Sequence, residues 1–352
     1  MNRHSGLTKE QSYNIQIARG IAIFAVVSIH HVPGTGVFIA RPFLNFAVGL
    51  FLFLSGMLSD PEKLHTGKRI LKVLIPYVIW SFVYIVREQF RTPETILPAF
   101  GKALLTGTGS GIMYYVFIYV EFTLLIPVID RLAKSGHRNL GFFIAPLEIV
   151  LMRLLPMILG FRLPAVLRQI RHVSCLGWFT YFYLGYLLGS GHLKLRISTE
   201  KLFSFWLLSL FLQVLETNLY YLMGNTNSGT QIKLTCLLSG SLFALLMYRM
   251  IFSGKAYEIL PLKLLGDCSF GIFFAHGAVM MALDHIPGYA KYVVFPADAA
   301  VAAFATALLV LAGGRLLGRA GRFLAFPSYP LSLRFRGENG TAPDGDGTVK
   351  PE

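Results

Sequence analysis

Residues 19–31 read RGIAIFAVVSIHH. The run between Arg19 and His30 is apolar except for Ser28, and its flanks are a guanidinium and an imidazole. Read as a helix, eleven steps of 100° make about three turns plus 20°, so Arg19 and His30 share one face about 16 Å apart along the axis. His31 is turned about 100° away from that face. Polar groups inside a bilayer are expensive, and each needs a reason. Two reasons are open for this pair. The structural one is a snorkelling Arg and a His hydrogen-bonded between helices. The functional one is a cationic anchor at an entrance and a base at depth.

The rest of the chain repeats the apolar character of this run. Of 352 residues, 54% are hydrophobic and 14% charged, and the mean hydropathy is +0.58. Soluble domains carry about 25% charged residues, so an ordinary soluble enzyme, a disordered chain and a collagen-like chain are excluded. Apolar runs fall near residues 18–34, 40–59, 70–87, 113–130, 140–160, 174–190, 202–222, 232–252, 264–284 and 293–318. They predict an all-α polytopic membrane protein with about ten transmembrane helices in one bundle. The runs are continuous rather than alternating, which argues against a β-barrel. Residues 1–17 then form an N-terminal segment and 319–352 a tail. From Ser328 onward that tail is Gly-, Pro- and Asp-rich with no apolar period, and it reads as a disordered end.

A net charge of +14 would suggest nucleic acid on a soluble protein. Here the basic residues sit mostly between apolar runs, so topology explains them and no nucleic-acid partner is expected. With an even number of spans, roughly two-thirds of the Lys and Arg residues fall on the side of the termini, which predicts cytoplasmic termini in the cell membrane. One connection resists that count. Arg153, Arg162, Arg168 and Arg171 fall on the outer side, where they mark an anionic ligand or a misplaced boundary. Cys175, Cys236 and Cys268 form no spaced framework, so neither disulfides nor a metal site is expected.

Several other ionisable groups lie inside the apolar runs. At 1.5 Å per residue, His30 and His276 each lie about 18 Å from the inner start of their helices, and Glu121 about 15 Å. Groups at one depth can line one cavity. Each also has a bland reading: a helix–helix hydrogen bond for His276, a structural partner to Arg or His for Glu121. Glu148 and Glu216 are weaker candidates with no surrounding motif, and Asp284-His285 sits at an outer end. Ser55, in a Ser-Gly pair, reads as a packing site, because small residues let membrane helices approach closely. Lys68, Arg69 and Lys72 cluster at the cytoplasmic start of one run.

The pattern of Arg19, ten residues, then His30 resembles the first helix of the integral-membrane acyltransferase family 3. Further segments are similar to that family in order: FLFLSG at 51–56, KRILKVLIPYVIW at 68–80, MYYVFIYVEFTLLIPVI at 113–129, WFTYFYLGYLLG at 178–189 and SFGIFFAH at 269–276. The resemblance spans roughly residues 14–318, so 18–318 is expected to be an acyltransferase-like transmembrane domain. Two positions depart from the family pattern. Its paired arginines read here as Arg69-x-x-Lys72, where Lys is a point charge without the bidentate fork. Its usual Tyr in the late segment is Phe273, so no role for that hydroxyl carries over.

The resemblance implies transfer of an acyl group, acetyl above all, from cytoplasmic acyl-CoA to a hydroxyl of a surface or exported carbohydrate or lipid-linked glycan. It implies His30 as the catalytic base, and a base suits the chemistry because the hydroxyl must lose its proton. Arg19, Arg69 and Lys72 would hold the anionic groups of the donor, and Glu121 and His276 would contact the acceptor. Membrane lipid is the remaining expected partner. The rival from another class is a multi-pass transporter with intramembrane His and Glu as a proton relay. Against it stands the lack of repeat symmetry or paired Gly/Pro-broken helices.

The orientation is open to a direct test. Reporter fusions at Met1 and after Gly340 are both expected to report the cytoplasm. A fusion reporting the outer face would break the even span count and invert the depth argument.

Overall fold

The computed structural model describes residues 7–34, 38–224 and 228–326. The tail expected to be disordered from Ser328 onward lies outside these residues. Among the described residues the chain is helical, with no strand. The N-terminal part forms α1 (Lys9–His31), α2 (Ala40–Leu44), α3 (Ala47–Met57), α4 (Thr66–Glu88) and α5 (Ile96–Thr106). The middle forms α6 (Tyr114–Lys134), α7 (Gly141–Ile149), α8 (Leu155–Ile158), α9 (Ala165–Val173) and α10 (Phe179–Gly189). The C-terminal part forms α11 (Thr199–Leu222), α12 (Leu234–Ile251), α13 (Leu260–Asp284), α14 (Tyr289–Tyr292) and α15 (Ala297–Leu317).

Every apolar run falls on helix, and the protein is a polytopic helical membrane protein. Among the described residues, eight helical segments are long and apolar enough to cross a bilayer, counting α2–α3 and α7–α8 as one each. The two other runs fall on α6 and α10. Helix α6 has 21 residues but carries Glu121, Asp130, Arg131 and Lys134. Helix α10 has 11 residues, every one buried. It is a core helix wrapped by its neighbours, so its apolarity serves protein contacts and not lipid.

Helix α10 shows how a polar-tipped aromatic core is satisfied. Phe182 stacks on Phe122 at 4.4 Å. The phenols of α10 all find acceptors: Tyr181 donates to the Cys236 carbonyl at 2.8 Å, Tyr183 to the Arg138 carbonyl at 2.7 Å and Tyr186 to Asp130 at 2.5 Å. In a dry core an unpaired hydroxyl costs more than its hydrogen bond gains, so these partners fix where α10 sits.

Helices α1 and α13 form the most extensive pair in the bundle. Their backbones touch. A Cβ on Gly20 would collide with the Leu262 carbonyl oxygen, and one on Gly266 with that of Gln16. Side chains on a helix lean toward its N-terminus. Each glycine therefore meets the turn before the opposite glycine, and the helices run parallel with Gly20 level with Gly266. Small residues at such a crossing let dispersion contacts accumulate where lipid gives no hydrophobic drive. Gly266→Ala is expected to destabilise the detergent-purified protein by about 1–3 kcal/mol through overpacking, seen as a lowered Tm. Gly101→Ala, at a helical glycine with open space around it, should be neutral or slightly stabilising. Equal Tm values for the two variants would refute the tight crossing.

Candidate functional site

Two cavities lie at opposite ends of α1. The first, about 380 Å³, is lined by Arg19 together with Arg69 and Lys72 from the start of α4. The second, about 430 Å³, is lined by His30 with four arginines, Arg41, Arg153, Arg168 and Arg171. Phe51, Tyr115 and Phe273 belong to the linings of both. These three side chains form the wall between the cavities, and the rings of Tyr115 and Phe273 lie 5.4 Å apart.

The sequence places the groups of the first cavity by simple spacing. Arg69 and Lys72 are three residues apart at the first turns of α4, so they share a face. Arg19 reaches Gln16 at 3.5 Å. Among the described residues no carboxylate lies within ion-pair distance of Arg19, Arg69 or Lys72, so their charge is open to an anion. Lys68 is exposed and does not line the cavity. Ser55 does line it, while the adjacent Gly56 packs against the backbone of Phe182. The close packing is therefore Gly56's, while Ser55, read as a packing site, faces the cavity.

In the second cavity His30 is exposed to the cavity space. Its ring lies 5.4 Å from that of His276, tilted by 41°. His276 is buried, and its Nδ1 lies 2.8 Å from the Ile272 carbonyl and 3.0 Å from that of Phe273. A carbonyl only accepts, so Nδ1 carries the proton and Nε2 is the open nitrogen of the neutral ring. His31 points elsewhere, with its Nδ1 donating to the Val27 carbonyl at 3.0 Å.

The acids have other tasks. Glu121 lines neither cavity. Its carboxylate accepts the backbone N–H of Cys175 at 2.6 Å, just before the turn that opens α10. The depth argument thus brings His30 and His276 together but does not bring Glu121 to them: depth fixes the level of a group, not its direction around the helix. Glu148 pairs with Arg153 at 3.5 Å. Glu216 accepts from the backbone and hydroxyl of Thr235. Asp284 and His285 lie outside both linings, with His285 bonded to the Met281 carbonyl.

The arginine connection is built around a proline. Pro156 has no N–H, so the Met152 carbonyl loses its helical partner. The helix there widens into a π-helical turn over Val150–Leu154, a feature frequent at functional sites. The Arg171 guanidinium donates to the freed Met152 carbonyl at 2.8 Å. On α9, Arg168, Arg171 and His172 face the cavity at i, i+3 and i+4, while Val166 and Ile170 are exposed on the opposite side. Burial, then Arg153 and Arg171, push the His172 imidazole below its ordinary value. Sequence reading missed Arg41 as a lining group, because it counted only as a charge. It also missed the wall: Phe51, Tyr115 and Phe273 sit inside the quoted segments, but nothing in their spacing marks them as neighbours.

The fold defines a polytopic membrane protein with a cavity lined by basic side chains at each end of one helix. Residues 12–315 match the family model of acyltransferase family 3, described as an acyltransferase domain. The chain belongs to that family and is a membrane acyltransferase. No curated protein and no solved structure matches it.

Glu121 gives a test that separates scaffold from substrate contact. Glu121→Leu removes a charge-assisted hydrogen bond worth about 1.5–3 kcal/mol and should lower the Tm. The fraction that folds should turn over acceptor normally, and Glu121→Gln, which keeps an acceptor oxygen, should restore much of the stability. A raised acceptor KM in folded Glu121→Gln would instead make the residue a substrate contact.

Proposed function

We propose that this chain transfers an acyl group, acetyl in the first instance, from cytoplasmic acyl-CoA to a hydroxyl of a surface or exported carbohydrate. It does so in the cell membrane with both termini cytoplasmic. The observation that carries the reading is the pair of cavities meeting at one aromatic wall, with Arg19 on one side of it and His30 on the other. The donor is a polyanion with its thioester at the far end of a long arm. Arg19, Arg69 and Lys72 suit its anionic groups, and the arm would carry the thioester to the wall. On the other side His30 takes the proton of the acceptor hydroxyl. The alkoxide oxygen attacks the thioester carbonyl, the C–S bond breaks, and the CoA sulfur leaves as the thiolate that the proton then neutralises. His276, 5.4 Å from His30, is a positioning residue in this scheme. Its own proton is committed to backbone carbonyls, so its ring fixes the neighbouring imidazole's surroundings.

Labelled acetyl-CoA incubated with membranes and glycan acceptors tests the reaction itself. A positioned base contributes about 10²–10⁴ in rate. His30→Ala and His30→Gln should therefore lose about that factor while reaching the membrane at normal levels, and His31→Ala should be mild. Arg69→Ala should weaken acyl-CoA binding by roughly 10- to 150-fold, the equivalent of about 1.5–3 kcal/mol. Near-normal turnover in folded His30→Ala would sink the base assignment. Unchanged CoA affinity in Arg69→Ala would return that residue to topology.

A further inference from the structure

The His30 cavity holds more cationic charge than a neutral sugar needs. Arg41, Arg153, Arg168 and Arg171 come from three separate stretches of chain and line one space. Among the described residues the only carboxylate within ion-pair distance of any of them is Glu148, on Arg153. Arg153 and Arg171 also have structural work, in the Glu148 pair and in the bond to the Met152 carbonyl. Arg41 and Arg168 have no hydrogen-bond or ion-pair partner among the described residues. A basic residue at a membrane face normally snorkels outward to water and headgroups. Helix α9 instead presents Arg168 and Arg171 to the cavity, with Arg168 exposed toward it, and leaves Val166 and Ile170 exposed on the opposite face. Retention of cytoplasmic positive charge does not explain the cluster either, because it sits at the end of α1 opposite to Arg19. Guanidiniums that line one space, Arg41 half-buried and Arg168 exposed toward it, repel one another, and an anion among them would relieve that repulsion. Beside them, the side-chain oxygen of the cavity-lining Gln231 is buried without a hydrogen-bond partner, open to a ligand donor.

We propose that the His30 cavity binds an anionic group of the acceptor, with Arg41 and Arg168 as its main contacts. The guanidinium fork fits the paired oxygens of a carboxylate or phosphate. Either the carboxylate of an acidic sugar or the phosphate of a lipid-linked glycan supplies that chemistry. The anionic group sits at the arginines and the hydroxyl to be acylated faces His30, so the charge sets which hydroxyl reacts. This inference rests on the acyl-transfer reading for its assignment of the cavity to the acceptor.

The test is binding, not turnover, on the full chain purified in detergent. The probes are trigalacturonate for the acidic-sugar source, geranyl diphosphate for the lipid-phosphate source and maltotriose as the neutral control, with acetyl-CoA titrated separately. At least one anionic probe is expected to bind ten-fold or more tighter than maltotriose, and which one does so names the source. Arg41→Gln and Arg168→Gln should each weaken that probe by roughly 10- to 150-fold, with the acetyl-CoA Kd within two-fold of wild type. These two variants avoid the arginines that hold backbone or Glu148, and an unchanged Tm shows that the fold is intact. Equal binding of all three probes overturns the proposal, as does anion binding that neither variant alters. A matching loss of acetyl-CoA binding would make this the donor cavity and overturn the assignment of both mouths. Anion binding as expected in a protein that transfers no acyl group would count against the transfer reading alone and leave the anion site standing.

Discussion

The contact between Gly20 and Gly266 governs the geometry of everything above it. Two parallel helices whose backbones touch have little freedom to slide, because any residue with a Cβ at the crossing would meet the opposite carbonyl, as one at Gly20 or Gly266 would. Ten residues beyond Gly20 comes His30, and ten beyond Gly266 comes His276. Equal rises of about 15 Å from a shared level bring the two imidazoles to one height. Their 5.4 Å separation is therefore set by a feature with no polar chemistry of its own. A site on rigid elements can hold its groups more closely than one on loops. Here the rigidity comes from packing that lipid cannot compete for.

A second constraint is that backbone and side-chain polar groups in this bundle must find partners within the protein. The solutions recur. Phenols of α10 reach two backbone carbonyls and the Asp130 carboxylate, Glu121 takes a backbone N–H at the entry to the same helix, and Arg171 takes the carbonyl that Pro156 leaves free. Lys233, fully buried, donates to Thr217 and to the Ser228 carbonyl. Intramembrane polarity is thus mostly structural. Arg19, Arg69, Lys72, Arg41 and Arg168, which have no carboxylate partner among the described residues, line the two cavities together with His30, while a few buried hydroxyls elsewhere, such as those of Tyr220 and Ser241, also lack a partner. That sorting is stronger evidence of a ligand site than the presence of charge in an apolar run.

The same sorting shows what was legible in the sequence. Hydropathy located every long helix, because an apolar run of about 20 residues has few alternatives in a bilayer. It did not separate lipid-facing from core helices: α10 is as apolar as a span but only 11 residues long and wholly buried. Periodicity put Arg19 and His30 on one face because both lie on one helix. His276 could be matched to His30 only by level, and the glycine register that confirms the match lies in two helices more than 240 residues apart. Glu121 had the right level and the wrong direction. The arginine group of α9 and the preceding connection stood out only as a failure of the charge rule. Its meaning depended on which way α9 turns, and that is decided by packing and by a proline-freed carbonyl rather than by local composition.

The aromatic wall explains why a single active centre would need two mouths. Phosphate groups held by cations at one end cannot follow an arm through Phe51, Tyr115 and Phe273, because stripping their water in an apolar passage costs several kcal/mol per charge. A carbohydrate faces the same obstacle from the other side, since each hydroxyl would have to give up hydrogen bonds to water without replacement. A short acyl group carries neither penalty. On the acyl-transfer reading, the wall would favour passage of the one fragment that the transfer must move and would keep the two polar ligands apart. On that reading, the three rings that line both cavities would also bound the size of that fragment.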